Sequence, residues 1–160
     1  MGRGYILGDI VPQVFDGDHL GADFEALRSN ASTSTDADLL DAFLDEIAGS
    51  DQAKWQLLKW ITEHDARPAL WFNCKAVVCF HDHGYNVSRI QPLAGRLRKY
   101  RVLYAYEKRH NELHFLAVVL KKPTAAPPDS DPRHYNYELN HPISKRVRDE
   151  YDKREFAKVR

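Results

Sequence analysis

The chain has 160 residues, 43% apolar and 11% aromatic, enough for one hydrophobic core and too many for wholesale disorder. No apolar run reaches the length of a membrane span, and Met1 to Asp9 lack the apolar stretch and small-residue cleavage site of a secretory leader, so a cytoplasmic location is expected. The formal net charge of zero hides an asymmetry: residues 1–70 carry 13 acidic and 5 basic residues, whereas residues 71–160 carry 10 acidic and 18 basic. Either the basic half meets something anionic, or the two halves neutralise each other in the fold.

In chain order, the first 20 residues are glycine-rich, with a poorly patterned strand signal between Ile6 and Val14. Asp23 to Arg28 reads as a short helix, and Ala31 to Thr35 as a polar loop. Asp36 is the expected N-cap of a helix whose apolar stripe is Leu39, Leu40, Phe43, Leu44 and Ile47, ending at Gly49. Ser50 or Asp51 caps the next helix, which carries Trp55, Leu57, Leu58 and Ile61 and stops near His64-Asp65 and Pro68. Two helices joined so tightly predict an antiparallel hairpin.

From residue 70 the period changes to that of strands. Ala76 to Phe80 is the first candidate, with His81-Asp82-His83-Gly84 as its turn. Tyr85 to Ile90 and Tyr100 to Tyr106 follow. Leu113 to Leu120, almost wholly apolar, predicts a central strand. Pro123 to Pro132 holds four prolines and predicts an exposed loop. Pro142 opens a last helix after Asn140, with Ile143, Val147 and Tyr151 on its inner side. The expected class is α+β: N-terminal helices with a helical hairpin, then an antiparallel sheet of three or four strands, then a C-terminal helix.

The densest chemical signal is Arg96-Leu97-Arg98-Lys99-Tyr100-Arg101, four cations in six residues at the entrance to a strand. Strand parity sets Lys99, Arg101 and Leu103 on one face, and Arg98, Tyr100 and Val102 on the other. Arg89 lies on the neighbouring strand, Lys121 and Lys122 close the central one, and His134, Tyr135 and Tyr137 follow the proline loop. Guanidinium groups grip phosphate and aromatic rings stack on unpaired bases, so this set suits single-stranded RNA. An ordinary solvated basic surface accounts for the same composition. Cys79, His81 and His83 can all bind zinc but lack an evident fourth ligand, so no metal or cofactor is expected. Tyr100, Tyr104 and Tyr106 share a parity that predicts a core-facing row.

The stretches Gly84 to Leu93, Gly95 to Tyr106 with its Tyr100-Arg101-Val102-Leu103-Tyr104 centre, and Leu113 to Lys122 together resemble the RelE/ParE superfamily of bacterial toxins. The resemblance covers residues 51–155 and implies a toxin domain over 36–160, with residues 1–35 as an N-terminal extension. It implies a toxin held in check by a partner antitoxin protein, acting on messenger RNA at the ribosome as an endoribonuclease through attack of the ribose 2′-OH. The ParE-like branch would instead inhibit DNA gyrase, and a non-toxic binding module of the same fold is a third possibility. Carried over by position, Arg101 matches the arginine that clamps the scissile phosphate, Lys121 and Lys122 the terminal basic pair, and Tyr135 or Tyr137 the late aromatic. The resulting expectation has Arg101, Lys122, His134 and Tyr137 in catalysis, and Arg89, Arg96, Arg98, Lys99, Lys121 and Tyr135 in RNA binding. Asn86 and Ser88 stand where some members carry lysines, and His134 is the residue that can compensate.

Overall fold

The computed structural model describes residues 10–58, 71–125, 131 and 133–158. Its elements are β1 (Gln13–Asp16), α1 (Leu20–Arg28), α2 (Ser34–Ala48), α3 (Asp51–Leu58), β2 (Phe72–Ala76), α4 (Val78–His81), β3 (Val87–Pro92), β4 (Tyr100–Glu107), β5 (Glu112–Lys121), β6 (His134–Tyr135) and α5 (Pro142–Lys153), with a 3₁₀ turn over Gly95–Lys99. The class is α+β, as the patterning predicts. Among the described residues no helix is long and apolar enough to cross a membrane.

The sheet runs β1-β5-β4-β3-β2, with β6 also paired to β5. β2 to β5 form the expected antiparallel meander. Both short additions, β1 and β6, lie parallel to β5, so the sheet is mixed and has six strands where three or four are predicted. β1 pairs with the start of β5 and β6 with its end. Between them, the Asp23 carboxylate accepts from the Val118 amide at 2.9 Å, satisfying an edge donor that no strand reaches.

The sheet separates two apolar layers. On one face α1, α2 and α3 pack Leu20, Phe24, Leu40, Phe43, Leu44, Ile47 and Leu57 against Ile90, Tyr100, Val102, Tyr104, Leu113 and Phe115. On the other, α4, β6 and α5 bring Phe80, Tyr135, Val147 and Tyr151 against Val87, Leu103, Ala105, Leu116, Ala117 and Val119. The predicted tyrosine row faces this layer: Tyr100 and Tyr104 are buried in it, their hydroxyls bonding Asp36 at 2.7 Å and the Leu57 carbonyl at 2.8 Å, and Tyr106 packs against it partly buried.

The helical hairpin is present, with shifted boundaries. α2 starts at Ser34, before the expected cap Asp36, which sits fully buried in the first turn. Burial raises the Asp36 carboxyl's pKa, but donors from Tyr100, Lys99 and Arg96 outweigh this and hold it below its ordinary value. Ser50 caps α3 by accepting from the Ala53 amide at 3.1 Å. The predicted end of that helix near His64 lies outside the described residues.

The predicted strand Ala76 to Phe80 is corrected. Its strand is Phe72–Ala76, and the chain then turns into α4. Val77 and Phe80, three apart, are buried at 4% and 0%, while Val78 is 68% exposed. That is a helical spacing, and seating Phe80 in the core overrides the strand preference of two valines. α5 begins at Pro142 as predicted, and its cap is His141, whose Nδ1 accepts from the Ile143 amide at 3.1 Å.

Candidate functional site

A β-bulge sets up the site. Leu103 pairs with Ala117, but Tyr104 pairs with Phe115, so Leu116 is the extra residue on β5. Strict alternation from Leu113 and Phe115 would point residue 121 toward α1–α3. The bulge reverses the parity, sending Val118 to that layer and Ala117 and Val119 to the α5 layer. Lys121, two residues after Val119, therefore shares a face with Arg101, the register partner of Val119, and with Arg89, the partner of Leu103.

The three cations meet at Tyr137. The Arg89 guanidinium carbon lies 5.9 Å and the Lys121 ammonium 5.6 Å from the centre of its ring. Tyr137 is delivered by the segment after β6, and its ring packs edge-on against Tyr135 at 5.3 Å. Its φ is +64°, a left-handed backbone that a tyrosine adopts only under external constraint. All four side chains are half-buried.

Their electrostatics are those of cations crowded together, opposed at Lys121 by the charge of Glu138. Arg89 Nη1 is buried without a hydrogen-bond partner among the described residues, while the Arg101 side chain hydrogen-bonds the Tyr137 hydroxyl. Arg101 Nη1 is committed, donating to the Arg98 and Tyr100 carbonyls at 2.7 Å each. Lys121 donates to the Asn136 side chain at 2.7 Å and the Lys122 carbonyl at 2.9 Å, leaving one of its three N–H groups over. Burial, followed by the charges of Arg101 and Arg89, pushes the Lys121 ammonium below its usual range. Burial also lowers the Arg101 pKa, with Arg89 contributing. The Tyr137 hydroxyl is pushed up by burial, against the pull of Arg89 and Arg101. A half-exposed centre of three cations, with a buried Arg89 donor left over, suits an anion with several oxygens.

The other expected residues lie outside this group, with Lys122 and His134 at its edge. Arg96 and Lys99 both turn to Asp36 of α2, the Lys99 contact being 3.1 Å, and so serve the helical layer. Arg98 is exposed on the 3₁₀ turn and offers its carbonyl to Arg101. Lys122 follows β5, its amide bonded to the Tyr135 carbonyl at 2.9 Å. His134 stands in register with Leu120, next to Lys121 in the ladder, and its charge helps Arg133 hold Asp131 at about 2. Tyr135 is fully buried, with its hydroxyl 2.6 Å from Ser144, so its ring has no surface to offer a base and Tyr137 is the late aromatic at the cluster.

Two participants carry no signal in the sequence. Asn136 is a single polar residue between two tyrosines. Cys79, considered only as a zinc ligand, donates its thiol to the Tyr137 carbonyl at 2.7 Å. Among the described residues no group of three His, Cys, Asp or Glu side chains is gathered to hold a metal ion. Comparison of the chain with family models, curated proteins and solved structures finds no match.

Proposed function

We propose that the chain is a metal-independent endoribonuclease, the toxin of a toxin–antitoxin pair, cutting messenger RNA at the ribosome. The observation that carries this reading is the convergence of Arg89, Arg101 and Lys121 on Tyr137, through ring contacts from Arg89 and Lys121 and a side-chain hydrogen bond from Arg101. In the reaction the ribose 2′-oxygen forms a bond to the adjacent phosphorus and the bond to the 5′-oxygen breaks. One proton must leave the 2′-OH and another must reach the departing oxygen, while negative charge grows on the phosphoryl oxygens. Arg89 and Arg101 hold those oxygens and stabilise the added charge. Lys121, its proton loosened by burial and by two neighbouring guanidiniums, takes the 2′-OH proton in its neutral form. The Tyr137 hydroxyl, kept protonated by burial, gives one to the 5′-oxygen. Lys122 and His134 flank this group at the end of the sheet and are assigned to binding the strand on either side.

The test is primer extension on a translated reporter transcript after induction of the protein, in parallel with an untranslated copy. Cuts confined to the translated copy, absent with Arg101→Ala, are the expected result. Intact transcripts together with blocked gyrase supercoiling would move the protein to the non-nuclease branch.

A further inference from the structure

We propose, on the reading above of the cluster as a phosphate site, that the Cys79 thiol is a positioning group for Tyr137 and holds its ring among the cations through the main chain. Tyr137 needs such a group because a tyrosine at φ +64° has no intrinsic reason to stay there. The thiol donates to the Tyr137 carbonyl at 2.7 Å, across 58 residues of sequence. Burial raises the Cys79 pKa, so the thiol keeps the proton it donates at neutral pH.

The support behind the thiol is rigid. Cys79 sits in the single turn α4, beside Phe80, which is fully buried, and two residues from buried Val77. The amides of Phe80 and His81 both bond the Val77 carbonyl, at 3.1 Å each. The His83 ring nitrogen lies 2.9 Å from the Cys79 carbonyl on the other side. Core packing of Phe80 thus fixes α4, α4 fixes the thiol, and the thiol fixes the carbonyl from which the Tyr137 ring is hung. Tyr135 supplies the lateral wall.

The test compares Cys79→Ala with Cys79→Ser in the full chain. The first readout is the NMR cross-peak between the amide and alpha protons of Tyr137, which is strong only in a left-handed backbone. The second is the single-turnover rate of cleavage on mRNA-programmed ribosomes. The expected result is a weakened cross-peak and about a tenfold slower rate for alanine, the rate equivalent of one lost hydrogen bond. Serine, which keeps a donor, restores both. Should the alanine variant not fold, methylthiolation of the thiol in the folded parent removes the same proton and is read the same way. An alanine variant with Tyr137 still left-handed overturns the proposal, as does a serine variant that loses as much as alanine. A parent protein without cleavage would defeat the phosphate reading, while the cross-peak comparison would still decide the role of Cys79.

Discussion

Single residues here divide into those whose partners complete a structural network and those whose donors remain over. Asp36 is of the first kind: it is buried, and Tyr100, Lys99 and Arg96 surround it. Asp36→Ala should cost about 2 kcal/mol in a urea titration, mostly from the stranded Tyr100 hydroxyl. Glu107 is similar. Burial raises its pKa, but donors from Arg109 and His110 prevail and bring it from 4.5 to about 2. A depressed carboxyl adds stability that is present above its unfolded value and lost as pH falls through the folded one. Stability should therefore decline between pH 4.5 and about 2, and Glu107→Gln should flatten that part of the curve. Lys121 is of the second kind. As the proposed base it must be neutral, so cleavage should rise with pH through a value below the ordinary 10.5. Arg89→Ala removes a like charge, raises that value and moves the limb to higher pH. A limb that stays in place would remove Lys121 from the proton transfer.

Among the elements, the N-terminal segment has the clearest consequence. Two readings of its acidic residues compete: that they shield the basic site, or that the segment simply extends the sheet. β1 pairs with β5 as an edge strand, and Leu20 and Phe24 of α1 enter the core. The acids engage α5 rather than Arg101: Asp23 makes a two-point pair with Arg146 at 2.8 and 2.7 Å, and Asp18 meets Lys153 and Arg154 at 3.1 and 2.9 Å. A chain truncated to begin at Thr35 should melt lower and aggregate through the bared edge of β5. Phe24→Ala alone should cost about 3 kcal/mol. A truncated chain as stable as the parent would show that β1 and α1 are accessory after all.

At the level of the whole molecule, much of the opposite charge in the two halves is cancelled inside the fold, through Asp36 with Arg96 and Lys99, and Asp18 and Asp23 with α5. These pairs remove Arg96, Lys99, Arg146, Lys153 and Arg154 from the candidates for an anion, and the proposed site keeps Arg89, Arg101 and Lys121. Three phosphate-neutralising cations predict a slope of about −2 for log affinity against log salt on single-stranded RNA. Each alanine substitution at those positions should reduce the slope by about 0.7. A slope several times steeper would mean that RNA lies along the general basic surface instead. The slope is measured by anisotropy of a labelled oligonucleotide at several salt concentrations.

By itself the sequence determined the α+β class, the helical hairpin, the meander, α5 and its inner residues Val147 and Tyr151, because hydrophobic period and turn residues are local properties that the chain carries with it. It also singled out Arg89, Arg101, Lys121 and Tyr137 as cations and an aromatic near one end of the sheet. Only the tertiary structure decided which of the many basic residues lie together. The bulge at Leu116 puts Lys121 on the face of Arg101, and one inserted residue in an all-apolar strand leaves no trace in its pattern. Asp36 draws Arg96 and Lys99 to the opposite layer, a pairing between residues some 60 positions apart. Val77 and Phe80 form a turn of helix because the core has room for Phe80, although the segment reads as strand. Tyr135 and Tyr137 have the same chemistry and neighbouring positions. Burial against Ser144 takes one into the core, and a left-handed backbone held from a distance by Cys79 presents the other to the cations. Parity, long-range pairing and backbone constraint arise from how distant segments meet, and no local window of the sequence contains them.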